Sequence, residues 1–203
     1  MTRAWVALVL EAVFLLLAFG IRSWIQWRRT GSSGFIRPRR GAPPVELLAT
    51  VLFTVGLVLI VAAPIADLAG FARLALFEGP GAAAAGAALA VAGIVVTFIA
   101  QVNMGDSWRI GVDPDEQTQL VTGGVFGLVR NPIFSAMILA TVGLVLLVPN
   151  ALSLAALVSL VVGLELQVRV VEEPYLRTVH GDSYRRYLGA AGRFVPGVGI
   201  ERS

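Results

Sequence analysis

Five apolar runs, at residues 5–21, 45–66, 82–102, 133–148 and 151–171, constrain this chain more than any other feature. A helix needs about 20 apolar residues to cross a bilayer core, and its backbone polar groups must be satisfied within the segment. The expected fold is therefore all-α, a polytopic membrane protein with five transmembrane helices. Composition agrees: 57% of residues are hydrophobic and 14% charged, with a mean hydropathy of +0.80, outside the balance of soluble domains. The first run has only Arg3 before it and no small-x-small site after it, so it is expected to be a retained anchor rather than a signal peptide.

Arginine placement predicts the orientation. All sixteen basic residues are arginines, and fourteen fall between runs one and two, between runs three and four, or at and beyond the end of run five. Only Arg3 and Arg73 fall on the other side. The positive-inside rule then puts the amino terminus outside and the carboxyl terminus in the cytoplasm, as an odd number of spans requires. Trp5, Trp24 and Trp27 suit interfacial belts at the two ends of the first span.

Several chemistries are excluded by inventory. There is no cysteine and one histidine, His180, so thiolate chemistry is absent and a histidine-built metal centre is not expected. A formal charge of +3, carried by topological arginines, gives no reason to expect nucleic acid as a partner. Gly86 and Ala90 stand at small-xxx-small spacing in the third run; helix packing within the chain is the expected use, with a homodimer contact as the alternative.

The fourth run is short. Sixteen residues reach roughly 24 Å, less than a bilayer core of about 30 Å. Pro149 and Asn150 then turn the chain straight into run five, which predicts that the last two spans form a tight helical hairpin. Before the hairpin lies LVTGGVFGLVRNPIF, residues 120–134, whose glycines and Pro132 predict a loop with amide groups available to a ligand.

Polar residues gather at the end of run five. Glu165, Gln167, Arg169, Glu172 and Glu173 lie on or just beyond an apolar helix, where ionisable groups are costly unless paired or facing a wet cavity. In an ideal α-helix Glu165, Arg169 and Glu172 share one face, predicting a carboxylate, guanidinium, carboxylate stack that either seats the helix end or anchors a charged ligand. His180 beside Gly181 is expected at a helix end, Tyr184 and Tyr187 as interfacial anchors, and residues 113–116 as a solvated acidic loop.

Residues 120–134, followed after the hairpin by RVVEEPYLRTVHGDSYRRYLGAAGRFVP, residues 169–196, resemble the carboxyl-terminal pattern of the isoprenylcysteine carboxyl methyltransferases and their phospholipid methyltransferase relatives. The matching positions are Leu120, Val121, Gly124, Arg130, Pro132, Glu172, Glu173, Leu176, Gly181, Tyr184, Tyr187 and Pro196. Asn131 stands where the family has histidine, and Phe126 and Phe134 where it has tyrosine. The resemblance covers roughly residues 103–198 and implies a division into a three-span membrane region, 1–102, and a methyltransferase core, 103–203.

It also implies an S-adenosylmethionine site on the cytoplasmic side, with a lipophilic small molecule or lipid entering from the bilayer as acceptor. By motif position Gln119, Leu120, Val121, Gly124, Phe126, Asn131, Pro132, Ile133 and Phe134 would hold the cofactor, and Glu172 or Glu173 its polar end. Arg169 would orient an acceptor carboxylate, and Glu172 and Glu173 would serve as bases toward an amine or thiol. Carboxyl O-methylation is the activity the resemblance implies first. Phospholipid N-methylation or thiol S-methylation, NADPH-dependent reduction of a sterol-type substrate, and a non-catalytic lipid-binding role are the alternatives. The location expected is a plasma membrane, of bacterial type.

Overall fold

A computed structural model describes residues 2–36, 41–75, 79–111 and 119–201. Arg37, Arg39, Arg40, Arg202 and the acidic loop at 113–116 lie outside the described residues.

Among the described residues the chain is helical, with two isolated bridges and no strand. The apolar helices are α1 (Arg3–Thr30), α2 (Pro44–Leu68), α3 (Pro80–Asn103), α4 (Pro132–Leu147) and α5 (Ala151–Leu166). After a π-helical turn, Gln167–Glu172, α5 runs on into α6 (Glu173–Ala190). Four helices, α1, α2, α3 and the α5–α6 rod, are long and apolar enough to cross a membrane; α4 is the shorter fifth.

The starts of these helices follow local chemistry. Proline opens α2, α3 and α4, where its missing N–H costs nothing and its φ is already helical. The start of α5 is instead a capping box: Asn150 Oδ1 accepts from Ser153 N at 3.0 Å, and Ser153 Oγ accepts from Asn150 N at 3.1 Å. Asn150 is wholly buried and donates from Nδ2 to Ala63 O in α2 at 2.9 Å. The α4–α5 corner is thereby tied to the end of a neighbouring helix.

The hairpin is tight at its corner, yet its two helices pack more extensively on others: α4 on α3, and α5 on α2. Glycines allow both close approaches. A Cβ on Gly93 would meet Ala140 N at 2.4 Å, one on Gly143 would meet Ala90 N at 2.4 Å, and one on Gly163 would meet Phe53 N at 2.8 Å. Gly86 and Ala90 therefore seat α4 within the same chain.

The first helix continues well past the apolar run. Arg22, 2% exposed, donates to Gln101 O at 3.2 Å and Gly105 O at 2.5 Å, and its guanidinium lies 4.5 Å from the Trp108 ring centroid. Gln26 Nε2 donates to Asp106 O at 2.7 Å. These contacts hold the segment after α3 against α1.

Candidate active site

A cavity of about 230 Å³ opens at the end of the bundle that carries Arg22 and Arg130. Two π-helical turns line it from different helices. Leu16–Ile21 in α1 contributes Phe19, and Gln167–Glu172 contributes Gln167 and Glu172. A π turn takes in an extra residue and rotates the side chains beyond it, and such turns recur at functional sites.

Half of the expected charge stack is present: Arg169 pairs with Glu165, four residues before it, on the exposed side. The second π turn breaks the spacing between Arg169 and Glu172, so Glu172 leaves the stack, lines the cavity and accepts from Gln167 Nε2 at 3.3 Å. Arg169 is not among the lining residues. Burial pushes the Glu172 carboxyl up to about 7, against the opposing pulls of the Gln167 hydrogen bond and the Arg109 charge. Arg109 also lines the cavity and donates to Tyr175 OH at 3.1 Å.

Glu173 points elsewhere. Its carboxylate, buried, takes Arg193 Nε and Nη2 at 2.7 and 3.0 Å and Arg130 Nη2 at 3.1 Å. Arg130 further donates to the carbonyls of Ala191 and Gly199, and Arg130 N bonds Gly192 O at 2.7 Å. Asn131 N and Nδ2 both reach Arg193 O, at 3.2 and 3.1 Å. Gly192 is required there, since a Cβ would fall 2.0 Å from Val195 O. Arg130, Asn131 and Pro132 are thus fixed at the mouth of α4 by the segment after α6.

The glycine loop folds into a 3₁₀ turn, Gly124–Gly127, entered through Gly124 at φ +59. Tyr187 OH closes it with a 2.7 Å bond to Phe126 O. Tyr184 and Tyr187 are 2% and 8% exposed, so they are cavity-wall residues and not interfacial anchors. They are brought there by the bend in α6 at Gly181, φ 50 and ψ −122, the residue after His180.

Of the residues expected to hold a cofactor, Gln119, Leu120, Val121, Phe126, Asn131, Pro132, Ile133, Phe134 and Glu172 line this one cavity; Gly124 and Glu173 do not. Sequence reasoning missed the wall built by α1, α2 and the end of α3, with Phe19, Glu46, Phe53, Gln101 and Trp108. Gln101 was the available signal, an amide inside an otherwise apolar run. The cavity draws on both sides of the expected boundary at residue 102.

Residues 82–183 match the phospholipid methyltransferase family. The chain belongs to the phospholipid methyltransferase family. It is a membrane methyltransferase, of a family whose substrates are lipids. No curated protein matches the chain. The matched segment runs from the start of α3 through the bend in α6, so it contains the glycine loop, Arg130 to Phe134, Glu172 and Tyr175.

Proposed function

We propose that this protein transfers a methyl group from S-adenosylmethionine to the amine headgroup of a membrane lipid, with its cavity facing the cytoplasm. The observation that carries this reading is Glu172, a half-buried carboxyl on the cavity wall, just past the apolar stretch of α5, held at about 7. An ionised carboxylate there can accept the proton that an ammonium headgroup gives up, acting as a general base that leaves the nitrogen with a free lone pair. Thiolate and metal catalysis are not needed.

When bound, S-adenosylmethionine supplies a methyl group activated on a sulfonium. The lining fits such a molecule in its donor set: Phe126 and Phe134 give flat apolar faces, Gln119 and Asn131 give amides, and Arg109 gives a cation for a carboxylate. Leu120, Val121, Pro132 and Ile133 exclude water around the reacting atoms. Glu173 acts at one remove, by holding Arg130 and Arg193 and thus the backbone on which Asn131 and Pro132 sit.

The arginine distribution supports the cytoplasmic orientation, the side on which a water-soluble cofactor is available. Carboxyl O-methylation is the second reading. With Arg169 away from the lining, Arg109 is the cation that would orient a carboxylate. Family membership favours methyl transfer over nicotinamide-dependent reduction.

The test is label transfer from methyl-labelled S-adenosylmethionine in nanodiscs containing phosphatidylethanolamine. Label in the headgroup, lost in Glu172→Gln, is expected. Label in a carboxyl ester instead would replace the amine reading with the second one.

A further inference from the structure

Glu11 lies in the middle of α1, 3% exposed, and neither carboxylate oxygen has a hydrogen-bond partner. A carboxyl without a partner at that depth is costly and is a functional-site hypothesis by default. It lines a second cavity of about 20 Å³, with Phe14, Leu57, Met137, Thr141 and Leu160. That is room for one oxygen atom and little more.

This small cavity lies beside the large one, about one helical turn further along the bundle. On α2 the lining passes from Phe53 to Leu57, on α5 from Leu164 to Leu160, and on α4 from Ile133 and Met137 to Thr141. Each step is about one helical turn, roughly 5 Å. The partition is thin. Met137 lines both cavities, and the Phe14 and Phe19 rings, one on each side, stack edge to face at 5.8 Å. Methionine has three rotatable bonds and yields readily to a ligand.

We infer that Glu11 and Thr141 form a polar subsite deep in the bundle that recognises a hydroxyl at the far end of a hydrocarbon chain of the lipid acceptor, reached past Met137. The inference rests on the proposed acceptor site for the lipid's path and adds what selects its tail. Thr141 Oγ1 already donates to Met137 O at 2.9 Å, so toward the cavity it can only accept. Glu11 accepts when ionised and can both donate and accept when protonated. A hydroxyl satisfies the pair when Glu11 is protonated, accepting the carboxyl proton and donating its own to Thr141 Oγ1; when Glu11 is ionised, its single proton serves one of the two acceptors. A plain chain leaves Glu11 unpaired.

The test uses the protein in detergent micelles with S-adenosylhomocysteine, and phosphatidylethanolamines whose acyl chains, of stepped length, end in a hydroxyl, beside the same chains without it. Apparent affinity is read from the shift in thermal unfolding midpoint. At one chain length the hydroxyl-ended lipid should bind roughly tenfold tighter than its plain counterpart, the worth of one hydrogen bond. That preference should vanish in Glu11→Leu and persist in part in Glu11→Gln. A flat series in the unaltered protein, or a preference unchanged in Glu11→Leu, overturns the subsite. The amine reading is judged separately by label transfer: a hydroxylated lipid bound with the expected preference but never methylated would contradict the headgroup chemistry and leave the subsite standing.

Discussion

Arg193 and Glu173 meet side by side, Nε and Nη2 of the guanidinium at 2.7 and 3.0 Å from the two carboxylate oxygens, and Arg130 takes one of the same oxygens at 3.1 Å. One buried carboxylate therefore holds the turn before α4 and the segment after α6 together. Glu173→Ala would leave two arginines short of their counter-charge. It should lower stability by about 3–5 kcal/mol, the usual cost of removing one partner of a buried pair, as measured by reversible unfolding in mixed micelles.

Burial raises the Glu173 pKa, but the hydrogen bonds and charges of Arg193 and Arg130 outweigh it, and the net shift is downward. A folded-state pKa below the unfolded value gives stability that is present above the ordinary glutamate pKa of about 4.3 and lost as pH falls through the folded value. Unfolding experiments from pH 7 downward should show the advantage of the unaltered protein over Glu173→Gln shrinking only in the acid range. A constant difference across the series would separate the network from this ionisation.

For Glu172 the direction is opposite. A base at about 7 is increasingly ionised as pH rises through that value, so methyl transfer should climb across neutrality and level off above it. Glu172→Gln should remove that rising limb and reduce kcat roughly 10²- to 10⁴-fold. A pH–rate profile of both proteins checks this. An unchanged limb in the variant would assign the titration to another group.

The helix pairs fail to tolerate side chains where their backbones touch. Gly93→Val should cost at least about 1–3 kcal/mol by forcing α3 and α4 apart, whereas Gly123→Val, where a Cβ meets nothing within 4 Å, carries no such packing penalty. Paired unfolding measurements distinguish the two.

Much of this molecule was legible in its sequence, for identifiable reasons. Apolar runs report helices because the bilayer leaves the backbone few alternatives, and proline and asparagine marked where α4 and α5 begin. The glycine loop and the Arg130 to Phe134 turn were found because their residues are local in sequence and distinctive in type. What stayed hidden depended on helical phase. Spacing arithmetic held for Glu165 and Arg169 but not for Glu172, because it assumed an α-helix and the π turn shifted the phase within one turn. Tyr184 and Tyr187 were likewise turned inward by the bend at Gly181, which glycine alone does not announce. The Phe19, Phe53 and Gln101 wall comes from three separate spans, and single residues in long apolar runs do not declare which face the tertiary packing will choose.

The central claim, that the large cavity holds an adenosyl-sulfur cofactor, is tested most directly by calorimetric titration of S-adenosylhomocysteine into the protein in nanodiscs and into Val121→Trp, which places an indole on the cavity wall. Saturable binding to the unaltered protein, lost in a Val121→Trp sample of equal thermal stability, is the predicted result. No binding to folded protein, or equal binding to both, would contradict the account.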